Sequence, residues 1–218
     1  EASAVILSIV SSSVAPYAKE EDTILRITAE ASTEDEALTL IEPVESKLRK
    51  IFGINIYGED DVKIEEVLGK MLIDKDYTIS SAESCTGGLI AAKLVNYPGI
   101  SKVFKEGAVT YSNEAKINRL GVKRETLDKY GAVSYETARE MAEGIAKTSD
   151  TDIGIATTGI AGPDGGSPEK PVGLVYMGLY IRGKTQVKKF QYFGNRATIR
   201  KRATMSALDW VRREIMNI

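Results

Sequence analysis

From residue 78 onward the chain alternates strand-like and helix-like segments, and this alternation constrains its fold more than any other feature. Strand-like 78–82, helical 86–96, strand-like 107–111, helical 134–148 and strand-like 152–158 predict an α/β layered domain, because apolar strands in this order need helices packed over them. Two adjacent runs, 172–181 and 185–192, predict a hairpin turned at Arg182-Gly183-Lys184. A last helix over 197–216 closes the chain. No internal repeat or low-complexity segment interrupts this pattern.

The first sixty residues have a different texture and predict a small α+β unit. The apolar run 4–10 reads as a strand, and 23–30 alternates as a half-buried strand does. A helix follows, with Ala37, Ile41, Val44, Leu48 and Ile51 on one face; Thr33 and Glu36 form a capping box before it, Pro43 is a candidate bend, and Gly53 is placed as the stop. Residues 54–57 read as another strand. The acidic run Glu59-Asp60-Asp61 marks the boundary, so the domains are expected at 1–60 and 61–218, with a helix over 61–76 joining them.

Of 218 residues, 29 are Lys or Arg and 31 are Asp or Glu. The formal charge of −2 gives no basic excess for a nucleic-acid or anionic-membrane surface. No apolar run is long enough to span a bilayer. The chain has one cysteine, Cys85, and no histidine. An intrachain disulfide and a Cys/His metal site are therefore excluded, and a reducing cytoplasm fits. The chain lacks a basic leader and does not begin with Met, so it reads as a piece of a longer protein.

Four stretches could carry chemistry. In Ala82-Glu83-Ser84-Cys85-Thr86-Gly87-Gly88 a strand runs into a helix through small and hydroxylated residues. Such a junction either aims backbone N–H groups at an anion or is a tight turn with a Ser or Thr cap. Cys85 has no histidine to serve as its base, so it is read as a small buried residue rather than a nucleophile. The second stretch, 157–173, is a Gly- and Pro-rich loop after an apolar strand, where ligands commonly sit in α/β layers. The third joins Gly99-Ile100-Ser101 to 107–116. A serine without histidine must use Lys, Tyr or a carboxylate as its base, yet spacing alone reads Lys116 as a solvated helix residue and Tyr111 as a core residue. In the fourth, Gly194-Asn195-Arg196, the arginine stands near a helix start, where it either holds a phosphate or pairs with a surface acid. Arg200, Lys201 and Arg202 read as the helix face that follows.

In order, AESCTGG, GAVTYSNEAK, GAVS, TTGIAGPDGGSPEKPVG and GNR resemble the C-terminal domain of the CinA (competence/damage-inducible) family, the nicotinamide mononucleotide deamidases. Residues 14–20, the strand Leu25-Arg26-Ile27-Thr28-Ala29 and Ile56-Tyr57-Gly58 resemble that family's small KH-like domain. The resemblance implies a three-layer α/β/α-like amidase domain behind a KH-like α+β domain, and a molybdopterin-binding-like domain preceding both in the longer proteins. It implies hydrolysis of the carboxamide of nicotinamide mononucleotide to nicotinic acid mononucleotide and ammonia, with no metal or cofactor, by a homodimer. The family nucleophile is matched to Ser101, with Tyr111 and Lys116 as its proton-handling partners. Ser84, Thr86, Gly87, Gly88, Thr158, Gly159 and Arg196 are matched to substrate binding. Ile100 stands where the family has the first serine of Gly-Ser-Ser, and Asn195 where it has the acid of Gly-Asp-Arg. Two other readings stay open: a non-catalytic binding or dimerisation module, and an amidase for another small amide. RNA binding is not expected, because residues 1–60 lack the GXXG loop of an RNA-clamping KH domain.

Overall fold

The computed structural model describes residues 12–19 and 22–217. The strand expected over 4–10 lies outside them. The chain divides into two compact units, Glu1–Tyr57 and Gly58–Ile218.

In the first unit, strands β1 (Ser12–Ala18) and β2 (Thr23–Ala29) pair antiparallel, and helix α1 (Glu34–Phe52) packs on β2. The hydroxyl of Thr33 accepts from the Glu36 N–H, and the Glu36 carboxylate accepts from the Ser32 N–H, so the return bond of the expected capping box falls one residue ahead of the N-cap. The helix runs through Pro43 and stops at Gly53, whose positive φ of 50° suits a residue without a Cβ. The strand expected at 54–57 does not form: Gly53–Asn55 is a 3-10 turn, and Asn55 spends its side-chain amide on the Phe52 carbonyl instead of extending.

The second unit is a five-stranded sheet between two helical layers. Its strands are β3 (Ile79–Glu83), β4 (Phe104–Val109), β5 (Ile153–Gly159), β6 (Leu174–Ile181) and β7 (Lys184–Gln191), in the order β4-β3-β5-β6-β7. β3 runs parallel to β4 and β5, while β6 and β7 are antiparallel additions joined by a tight turn at Arg182-Gly183, both at positive φ. One layer holds α4 (Asn113–Leu120), α5 (Arg124–Tyr130) and α6 (Tyr135–Thr148), and the other α2 (Ile64–Asp74), α3 (Leu89–Val95) and α7 (Arg196–Met216). α2 packs against α7 and α3 and so belongs to this unit. Neither α4 nor α5 is announced by the alternation of the sequence; both are only about two turns long and carry few apolar residues.

β3 is buried at every position, and β5 at all but its last, so they form the middle of the sheet. α6 lies close on it because Gly154 and Gly178 present no side chain: a Cβ at either would run into the carbonyls of Ala142 or Ala138. Ala82, Ala156, Leu120, Leu127, Met141 and Ile145 fill the space beneath α6. The consequence for the site is directional. β3, β4 and β5 all point their C-terminal ends the same way, and the loops at that end are the ones that meet.

Candidate active site

β3 ends in Glu83, which is buried and at the positive end of α3. One carboxylate oxygen accepts from the N–H groups of Gly88 (2.9 Å) and Ile90 (3.1 Å), and the other from Ala91 (2.9 Å). The helix N-terminus is thus closed by the chain's own acid, and not by Ser84 or Thr86. Three donors at that helix end, the N–H groups of Gly88, Ile90 and Ala91, are therefore engaged by Glu83. Thr86 is fully buried and its hydroxyl bonds that of Thr157 at 2.7 Å, so it ties the turn to β5. Thr86, Gly87 and Gly88, matched above to substrate binding, do not line the cavity of this unit.

That cavity, of about 210 Å³, lies over the C-terminal ends of β3, β4 and β5. Ser84, Cys85 and Lys116 form its inner end, Ala132, Val133, Thr158, Gly159 and Ala161 its walls, and Tyr111 and Arg196 complete the lining. Lys116 projects from α4, whose first turn is capped by the Ser112 hydroxyl accepting from the Ala115 N–H. The lysine is 1% exposed, the reverse of the solvated residue that its spacing suggested. Its Nζ donates to Ser84 Oγ (3.2 Å) and to the carbonyls of Thr110 (2.9 Å) and Tyr111 (3.1 Å), and it makes no ion pair among the described residues. Burial without a carboxylate lowers the Lys116 pKa from its ordinary 10.5. In the neutral amine the two carbonyls take the two N–H bonds, and the lone pair is left facing Ser84. Base and hydroxyl are then in contact, as nucleophile activation requires.

Ser101 is not part of this arrangement. It is exposed in the 3-10 turn Ile100–Lys102, before β4, whereas Thr110 and Tyr111 follow β4. The six residues of β4 alone span roughly 20 Å, so Ser101 sits at the opposite end of the strands from Lys116. Matching the nucleophile to Ser101 is corrected on this ground. The nearby Ile100 that departs from the family turn is a buried core residue. Ser84, matched by the resemblance to substrate binding, is the serine the lysine reaches.

Tyr111 meets Lys116 through its backbone carbonyl. Its side chain is 61% exposed, and its hydroxyl accepts from Arg196 Nη2 at 3.2 Å. The other arm of Arg196 donates to the Gly162 carbonyl at 3.0 Å. Thr158 is buried and donates to the Ala132 carbonyl at 2.6 Å, which fixes the wall facing Ser84. Asn195 is the N-cap of α7, its Oδ1 accepting from the Thr198 N–H at 2.9 Å. Asp caps a helix equally well, so Asn195 keeps the capping bond that an acid at this position would make. Asn195→Ala is expected to cost about 1 kcal/mol in urea denaturation while Asn195→Asp costs nothing measurable.

The Cys85 thiol is pushed up to about 11, chiefly by burial, so it is protonated and a poor nucleophile at neutral pH. Among the described residues no group of three or more Cys, Asp or Glu is placed to hold a metal ion, and no helix is long and apolar enough to cross a membrane.

Fold and site together describe an α/β domain with a serine and a buried lysine at the C-terminal edge of a mixed sheet. The family model of the CinA C-terminal domain matches residues 61–215, and that of the damage-inducible protein CinA KH domain matches residues 5–58. A Clostridium kluyveri protein named competence-damage inducible is 75% identical over 203 residues, covering 93% of this chain and 50% of its own length. A Clostridium acetobutylicum protein of the same name is 60% identical over 205 residues, covering 94% and 50%. Among solved structures, competence/damage inducible protein CihA from Agrobacterium tumefaciens is similar at 42% identity and a TM-score of 0.64, covering 70% of this chain and 96% of that one. A CinA superfamily protein from Klebsiella pneumoniae gives 32% and 0.69, covering 71% and 97%. The chain belongs to the CinA family. It spans about half the length of the curated relatives it matches.

Proposed function

We propose that this chain is an amide hydrolase that converts the carboxamide of nicotinamide mononucleotide to the acid, releasing ammonia, with Ser84 as nucleophile and Lys116 as its base. The observation that carries the reading is the contact between the Lys116 amine and the Ser84 hydroxyl in the lining of the cavity.

Neutral Lys116 takes the Ser84 proton as Oγ attacks the carboxamide carbon. The resulting ammonium then gives its proton to the departing nitrogen, so that ammonia leaves and an ester on Ser84 remains. Water, deprotonated by the same amine, attacks this ester; the carboxylic acid departs and the serine hydroxyl is restored. A cavity of about 210 Å³ has room for a pyridine ring but not for a whole nucleotide. The ribose phosphate therefore extends outward, and Arg196 is the cation on its way. Tyr111, through its hydroxyl on Arg196, orients that guanidinium.

The reading is tested by ammonia release across a panel of nicotinamide mononucleotide, nicotinamide, nicotinamide riboside and unrelated small amides. Turnover is expected with the mononucleotide and to fall at least tenfold without the phosphate. Release from another amide alone replaces the substrate, and no release from any contradicts the activity.

A further inference from the structure

Arg200 lies one helical turn beyond Arg196 on α7 and does not line the cavity. Its Nε donates to the carbonyl of Cys85 at 3.1 Å and its Nη2 to that of Thr86 at 2.7 Å, the two carbonyls that follow Ser84. It forms no ion pair among the described residues, so the backbone of this one turn receives its charged donors. Gly87 gives way to it: with φ at 61°, a Cβ there would stand 3.1 Å from Nη2. A side chain at position 87 would press the guanidinium away.

In a trans peptide the carbonyl and the next N–H point to opposite sides. Drawing the Cys85 carbonyl to Arg200 therefore turns the Thr86 N–H away from α7, toward the Cys85 sulfur that lines the cavity. The Gly87 N–H meanwhile closes on the Ser84 carbonyl at 3.1 Å. Three of the turn's peptide groups are thus fixed by one guanidinium and one turn hydrogen bond. Among the described residues the Ser84 hydroxyl bonds only the Lys116 amine, so its aim depends on the backbone that carries it.

We propose that Arg200 is a positioning residue for the nucleophile: by clamping the Cys85 and Thr86 carbonyls it holds the turn so that Ser84 stays on Lys116. The proposal rests on Ser84 being the nucleophile. Methionine fills similar space without donors, and lysine supplies one charged donor group where two carbonyls need bridging at a fixed angle.

The test uses the full chain as Arg200→Met and Arg200→Lys, with two readouts. Hydrogen exchange of the 84–88 amides is expected to quicken at least tenfold in Arg200→Met and less in Arg200→Lys, with exchange in β5 and α6 unchanged. In ammonia release kcat is expected to fall about 30-fold or more in Arg200→Met while KM stays within about threefold, with partial recovery in Arg200→Lys. Unchanged exchange at 84–88 overturns the clamp whether or not the chain is active. Faster exchange with unchanged kcat overturns the positioning role. A parent chain that releases no ammonia contradicts the proposed function, and the exchange readout still decides the clamp.

Discussion

Ser84→Ala is expected to lower ammonia release from nicotinamide mononucleotide by on the order of 10⁴-fold or more, while Ser101→Ala leaves it within about twofold. The contrast follows from strand direction. Ser84 leaves the C-terminal end of β3, and the Thr110 N–H donates to the Glu83 carbonyl beside it at 2.9 Å, so the chain around Lys116 is pinned to that end. Ser101 enters β4 from the other end, a strand's length of roughly 20 Å from Lys116. Removing Oγ from Ser84 leaves a cavity wall largely intact, so ligand binding should survive the substitution. Thermal melting of the two variants should match the parent within a few degrees, because among the described residues neither hydroxyl holds a hydrogen bond beyond that of Ser84 to Lys116.

Lys116→Met is expected to cost on the order of 10³-fold or more in kcat/KM. The same residue sets the pH profile. Its pKa is lowered from 10.5 by burial, and only the neutral amine can accept the serine proton. Activity should therefore rise with pH through an acid limb lying below 10.5, and that limb should vanish in the residual rate of Lys116→Met. The stability sign is the opposite of an ion pair's. A lysine whose folded pKa lies below its unfolded one leaves the native state holding fewer protons, so its cost is fully present below the folded pKa and is relieved as pH rises from the folded to the unfolded value. A pH–rate profile that is flat across this window, or a Lys116→Met variant with parental kcat/KM, would contradict the assignment of the base.

The layered fold was legible because its signals are local. The strands around 79–83 and 153–159, the 182–183 turn and the long closing helix each announce themselves by periodicity or turn chemistry. The site was only half legible. Ser84 and Lys116 are 32 residues apart and meet because β3 and β4 lie parallel, a pairing that no window of sequence displays. Ser101 and Tyr111 look close in sequence, yet a strand stands between them and carries them apart. Glu83 reads as one more charged residue before a glycine turn; an acid a few residues ahead of a helix start was the available signal that the helix end would be closed from within. Arg200 was absorbed into a basic helix face. Its spacing of four from Arg196 was the one hint that both point to the same end of the sheet.

Residues 54–57 show the opposite failure. The apolar residues there fit a strand pattern, but the described partners β1 and β2 pair with each other, and the chain leaves α1 through a 3-10 turn.

The central claim, a covalent intermediate on Ser84 formed with Lys116 as base, is tested most directly by acid-quenching the protein during turnover of nicotinamide mononucleotide and mapping the acyl adduct by peptide mass spectrometry. The account predicts a nicotinic acid mononucleotide ester on the peptide containing Ser84, lost in Ser84→Ala. An adduct on Ser101 or on Cys85, or an unchanged adduct in Ser84→Ala, would contradict it.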